Sequence, residues 1–179
     1  MEPYDTGLFR TINNGPEALA PLMRFFSEAT NYPWFKVVAV VLVVVLLVRK
    51  GAGARVAVQG MVAFPLANGI TDLFKYWIPE ARPFQELSGV LLRAGWSDSA
   101  GTASAHSANM AAIAFVVVYQ LRWWGAPWIL FAILTGLSRS YNGVHYPHQV
   151  LLGWMCGAFS GWLICRSWDA IVASRKKPA

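Results

Sequence analysis

The stretch Trp34-Phe-Lys-Val-Val-Ala-Val-Val-Leu-Val-Val-Val-Leu-Leu-Val48 is apolar on every face of a helix, and Lys36 is its one charge. A helix without a polar face has no side to turn to water, so it belongs in a core or a bilayer. Residues 34–48 fall short of the ~20 that a hydrocarbon layer of ~30 Å requires. Tyr32 and a snorkelling Lys36 must therefore complete one end of the span. Arg49, Lys50 and Arg55 follow as a basic turn around Gly51 and Gly53.

Composition extends this reading to the whole chain. Of 179 residues, 56% are hydrophobic and 13% charged, too little charge for an ordinary soluble domain. Nine Trp suit the interfacial belts of a membrane protein. The net charge of +6 comes from basic residues scattered between apolar runs. They read as topology determinants and site residues, so no nucleic-acid partner is expected. Cys156 and Cys165 lie in one apolar run at a separation that fits no metal pattern, and read as small core or lipid-facing residues. The opening Met-Glu-Pro-Tyr-Asp lacks the basic and apolar regions of a cleavable signal peptide.

Further spans follow on either side. Val56–Trp77 contains Gln59, Asn68, Asp72 and Lys75. The last three are spaced i, i+4, i+7, a stripe expected to face the bundle, with Asp72 buried and able to pair with Lys75. Residues 78–102, with Pro79, Pro83 and three Gly, read as irregular structure. Ser104–Trp124 is a third span, Pro127–Arg139 a fourth, and Pro147–Trp168 a fifth after the Asn142-Gly143 turn. Pro16–Ala29 carries Leu19, Leu22, Met23 and Phe26 at helical spacing, as an interfacial helix does. The expected fold class is an all-α integral-membrane bundle of about five transmembrane helices plus this interfacial helix. It forms a single domain over 1–179: an N-terminal interfacial segment 1–33, a bundle 34–168 and a cytoplasmic tail 169–179.

With five spans, Arg49, Lys50, Arg55, Arg122, Arg166, Arg175, Lys176 and Lys177 fall on one side, which the positive-inside rule makes cytoplasmic. Three unusual stretches then share the opposite face: Lys75 through Arg82-Pro83, Ala103-Ser-Ala-His106, and Ser138-Arg139 through His145. Charged groups near hydrocarbon are costly and usually functional. Two histidines, two arginines and a lysine converging there would form an anion pocket equipped for phosphate-ester chemistry.

Lys75-x6-Arg82-Pro83, Ser104-x-His106 and Ser138-Arg139-x5-His145, in this order and spacing, resemble the type 2 phosphatidic acid phosphatase superfamily. That group includes lipid phosphatases, undecaprenyl-diphosphate phosphatases, glucose-6-phosphatase and vanadium haloperoxidases. Two departures stand out. Ala103 replaces the usual Pro before Ser104, and Gln149 replaces the usual Asp four residues after His145, as in glucose-6-phosphatase-like members. Gln can accept from an imidazole N–H and fix its tautomer, but brings no charge to an imidazolium.

The resemblance implies His145 as nucleophile, His106 as general acid and base, and Gln149 as partner of His145. It implies a phosphate cradle of Lys75, Arg82, Ser104, Ala105 and Arg139, with the N-terminus of the third span adding its dipole. The expected activity is metal-independent and cofactor-free hydrolysis of a lipid phosphate at the extracytoplasmic face, in a membrane that small size suggests is the bacterial inner membrane. Undecaprenyl diphosphate is favoured over phosphatidylglycerol phosphate, phosphatidic acid and lipid A phosphate. Rival readings are a lipid phosphotransferase, a phosphatase of small soluble esters, and a non-catalytic anion-binding membrane protein.

Each residue has a plainer explanation when taken singly. Lone histidines are commonly structural, Lys75 could snorkel, and Ser104 could be a helix cap. Arg82 and Arg139 could pair with Glu80, Glu86 or Asp98, and His148 reads as an interfacial or helix-start residue. Gly143 and Gly153 suit a turn and close helix packing.

Overall fold

The computed structural model describes residues 3–175, and every regular element among them is helical. They run α1 (Pro3–Asn13), α2 (Ala20–Glu28), α3 (Pro33–Arg49), α4 (Gly51–Trp77), α5 (Pro83–Glu86), α6 (Ala105–Leu121), α7 (Ala126–Tyr141) and α8 (Pro147–Arg175), with 3₁₀ turns at Glu17–Leu19, Ala29–Asn31 and Arg122–Gly125. The all-helical expectation holds, and the apolar segments become α3, α4, α6, α7 and α8. Ala105–Tyr141, which includes the turn at Arg122–Gly125, and Pro147–Arg175 are each long and apolar enough to cross a membrane. Glu17–Asn31 and α3 meet that test as a pair bent by 61°.

Prolines set several boundaries. Pro33, Pro83, Pro127 and Pro147 stand in first turns, where a fixed φ helps and a missing N–H costs nothing. The basic turn after α3 pivots on Lys50 and Gly51, both at positive φ (59° and 63°). Gly53 and Arg55 are already helical, so α4 starts earlier than its apolar run. Likewise α8 continues past Trp168 to Arg175, and Lys176 and Lys177 lie outside the described residues.

α3 buries none of its residues. Val37, Val38, Val40, Val41, Val44 and Val48 are all exposed, a surface suited to lipid tails. α6 is different, being enclosed by α4, α7 and α8. Lipid is as apolar as a side chain, so helices in a bilayer associate by close packing of small residues. Ala63, Ala67, Ala108, Ala112 and Cys156 form that core with Cys165. On α8, a methyl at Gly153 would lie 2.5 Å from the Ser104 carbonyl oxygen, and one at Gly157 would overlap the carbonyl of Ala108. The two backbones touch because these glycines permit it, as expected for Gly153. Contact at Gly153 also brings the first turns of α6 and α8 together, where Ser104 N–H donates to the Gln149 carbonyl at 3.0 Å.

One end of the bundle carries a polar cover. Asn13 of α1 donates to the carbonyls of Leu91 and Tyr141, both at 2.9 Å, and accepts from Leu91 N–H. Arg93 donates to the Asn13 and Tyr141 carbonyls, pairs with Glu17 at 2.8 Å and stacks on the Tyr141 ring. Phe9 is fully buried edge-on against Tyr146. Residues 3–13, read from sequence only as part of a mixed interfacial segment, thus form a helix packed onto α7 and α8. The interfacial helix is broken into α2 flanked by two 3₁₀ turns.

Candidate active site

His145 lies in the short connection between α7 and α8 and is 2% exposed. Gly143, at φ 83°, turns the chain back so that α8 can begin at Pro147. The His145 tautomer follows from its neighbours. Arg82 Nη1 is 3.0 Å from His145 Nε2, and a guanidinium only donates. Nε2 therefore carries the lone pair and Nδ1 the proton. Nδ1–H faces the Gly101 carbonyl at 3.1 Å and Gln149 Oε1 at 3.2 Å. Burial, then the positive charges of Arg139 and Arg82, hold this imidazole well below its ordinary pKa, so the ring is neutral.

Gln149, fully buried in the first turn of α8, has its amide orientation fixed. Nε2 donates to the Ala81 carbonyl at 3.0 Å and Glu80 Oε2 at 3.1 Å, while Oε1 accepts from Tyr146 N–H. The acceptor end of the amide is thus turned to the histidine.

Arg82, at the start of α5, is 5% exposed. Its Nε and Nη2 donate to the Ser99 carbonyl and hydroxyl, both at 2.8 Å, and Nη1 also to the Val144 carbonyl at 3.2 Å. One side chain therefore shapes the 97–101 loop and touches the histidine. Arg139, near the end of α7, donates from Nη1 to Ser27 Oγ at 2.7 Å and to the Ser27 carbonyl. Its buried Nε has no hydrogen-bond partner among the described residues. Neither arginine makes a salt bridge with Glu80, Glu86 or Asp98 among those residues. Glu86 instead accepts from Tyr146 OH, and Asp98 from Trp96.

His106 sits at the start of α6, with Arg139, Arg82 and Lys75 all within electrostatic reach of its ring. Its ring also interacts electrostatically with His145. With Ala105 it lines a cavity of about 300 Å³ whose walls include Phe26, Phe64, Asn68 and Asn109. Ser104 is buried and caps α6, its Oγ accepting from Ser107 N–H and Oγ–H. Lys75 pairs with Asp72 at 2.9 Å. Asp72 is not buried as expected: its side chain is 68% exposed, against 16% for Lys75. Asn68 does turn inward, accepting from Asn109 at 3.0 Å.

The three motif stretches thus meet at one end of the bundle, where the 78–104 connection, α6, α7 and α8 converge. Sequence reasoning missed the layer behind them. His148 lies between two carboxylates, with Nδ1 on Asp5 of α1 and Nε2 on Glu80 at 2.7 Å. Glu80 appears in the sequence only as a possible arginine partner. The signal available was its place between two motif residues, opposite the helix start that bears Gln149.

This geometry agrees with what the chain resembles. In sequence it is 27% identical over 163 residues to an undecaprenyl-diphosphatase of Sulfolobus acidocaldarius, covering 89% of this chain and 76% of that protein. In structure it superposes on LpxE of Aquifex aeolicus with a TM-score of 0.78 at 24% identity, over 92% of this chain and 96% of that one. A phosphatidylglycerolphosphate phosphatase of Bacillus subtilis gives 0.72 at 20% identity, over 94% and 86%. The stretch that the PAP2 superfamily model matches, residues 56–172, spans every motif gathered around His145, and the chain is a membrane protein of the PAP2 superfamily of lipid phosphatases.

Proposed function

We propose that this chain hydrolyses a lipid phosphate or diphosphate at the extracytoplasmic face through a phosphohistidine on His145. The observation that carries the reading is the state of that ring. It is neutral, its Nδ1–H is held by two acceptors, and its Nε2 lone pair faces Arg82.

In the first step Nε2 attacks phosphorus, the P–N bond forms and the bond to the leaving oxygen breaks. His106 donates its proton to that oxygen. It then takes a proton from water as the water attacks phosphorus, the P–N bond breaks and phosphate leaves. Such a transition state needs placement and charge neutralisation more than covalent help. Arg82, the unpartnered Nε of Arg139 and Lys75 supply positive charge, and the α6 N-terminus beside Ser104 and Ala105 adds its dipole. Phosphate bound there offsets the cations around His106, which favours the protonated ring the first step requires. The chemistry needs no metal.

A lipid substrate is favoured because the cavity beside His106 is walled by Phe26, Phe64, Met110 and Phe131. Taking α3, α4, α6, α7 and α8 as five crossings, with Arg49, Lys50 and Arg122 on the cytoplasmic side, the positive-inside rule favours His145 on the far side. Undecaprenyl diphosphate is the first choice, supported by the name of the Sulfolobus relative; phosphatidylglycerol phosphate, phosphatidic acid and lipid A phosphate follow.

A panel of these lipids and a soluble ester, assayed with purified protein in detergent, tests the reading. Undecaprenyl diphosphate should turn over fastest, and His145→Ala should cut the rate on the order of 10⁴-fold or more without unfolding the protein. An undiminished His145→Ala rate removes the phosphohistidine. Faster turnover of the soluble ester removes the lipid, and label appearing on a second lipid makes the protein a phosphotransferase.

A further inference from the structure

The proposed phosphohistidine puts positive charge on His145 just where the contacting side chain, Gln149, is a neutral amide. Gln149 can point a carbonyl dipole at Nδ1–H but cannot balance that charge. Behind it lies a carboxylate. Glu80 Oε2 accepts from Gln149 Nε2 at 3.1 Å. The Glu80 backbone is engaged as well: its carbonyl accepts from Gly101 N–H at 2.7 Å, and its N–H donates to Thr102 Oγ1 at 3.1 Å. Both acceptors of His145 Nδ1–H, the Gly101 carbonyl and Gln149 Oε1, are thus tied to Glu80, with the Ala81 carbonyl and Tyr146 N–H also fixing the Gln149 amide.

We propose that Glu80 is a positioning residue that supplies the anionic charge for the His145 imidazolium, transmitted through the Gln149 amide. A carboxylate accepting from Nε2 polarises the amide and makes Oε1 a stronger acceptor; Glu80 is 38% exposed, while the Gln149 amide that carries the effect to His145 is fully buried. The groups facing Glu80 are Gln149 on one side and His148 on the other, with Asp5 beyond His148. His148 donates from both ring nitrogens, to Asp5 and to Glu80, and is therefore a cation that aims the carboxylate; the three groups together keep one net negative charge behind Gln149. Glu80 exchanges no proton in the reaction. The inference rests on the phosphohistidine reading of His145, not on the identity of the lipid.

The test uses the full-length protein in detergent, with p-nitrophenyl phosphate as substrate and orthovanadate as a binding probe, so that the natural lipid need not be known. Glu80→Gln keeps the shape and removes the charge. It should lower kcat ~10-fold, leave KM within about twofold and weaken vanadate binding. Glu80→Asp keeps the charge and should retain most of the rate. In the swap Glu80→Gln/Gln149→Glu the charge moves directly against His145, and kcat should recover to within about threefold of the parent, a coupling that independent sites cannot give. Gln149→Glu alone sets two carboxylates against each other and should be slower than either the parent or the swap.

An unchanged kcat in Glu80→Gln overturns the proposal. So do equal losses in Glu80→Gln and Glu80→Asp, or a swap no faster than Glu80→Gln while still melting cooperatively. If the swap does not fold, the ratio of Glu80→Asp to Glu80→Gln decides. Hydrolysis of the soluble ester without turnover of any lipid removes the lipid reading and leaves this test intact. A parent that neither hydrolyses the ester nor binds vanadate removes both.

Discussion

The α6–α8 pair buries polar side chains at both of its ends, and the two ends use them differently. At one end His145, Gln149 and Arg82 are wired so that each side chain has a defined direction. At the other, Gln59 is fully buried on α4; its Oε1 accepts from Gln120 at 2.9 Å and lies 3.4 Å from Cys165 Sγ. Its Nε2 has no hydrogen-bond partner among the described residues. An amide half satisfied in this way joins helices and fixes their register but orients no reactive atom. Burial of polar groups alone thus says little about chemistry. What sets the proposed reactive end apart is that its hydrogen bonds form a directed chain ending on a lone pair.

The contrast can be broken in three places. Replacing His106 with Ala should have the largest effect, a rate loss of ~10²–10⁴-fold with an unchanged melting temperature. His106 is only half-buried, so removing it should cost chemistry and no fold; a melting point that falls in step with activity would make it structural. Gly157→Val acts between the two ends, where a side chain would meet the Ala108 carbonyl. It should destabilise by about 1–3 kcal/mol and lower activity as well, because the same seam holds the first turns of α6 and α8 together. Thermal melts in detergent alongside rates check both effects. The double change Gln59→Leu/Gln120→Leu should do least, shifting stability by no more than ~1 kcal/mol and leaving turnover untouched, since both partners of the pair are removed at once. A loss of activity there would mean that the two ends communicate.

The helices were legible because each apolar run is bounded by Pro, Gly or basic residues. The motif residues were legible because their spacings are conspicuous in so apolar a chain. Asp72 was misplaced for a geometric reason. At ~100° per residue, a stripe at i, i+4, i+7 fans over an arc, and Asp72 and Lys75 fall on opposite sides of Asn68. Lys75 turns inward and Asp72 outward. α1 could not be read because its eleven residues mix polar and apolar types. Phe9 and Asn13 become buried only against Tyr146, Tyr141 and Leu91, which lie far along the chain. The Asp5–His148–Glu80–Gln149 chain joins α1, the 78–104 connection and α8. No local pattern announces a contact among three separate segments.

Ser27 offers a final consequence. It belongs to α2, in the segment that meets α3 at a bend, and it holds the Arg139 guanidinium by both its hydroxyl and its carbonyl. Lifting or tilting that segment therefore moves the guanidinium with it. With Arg139 binding phosphate as proposed, tension, thickness or surface charge in the surrounding leaflet would have, through Ser27, a mechanical handle on that grip.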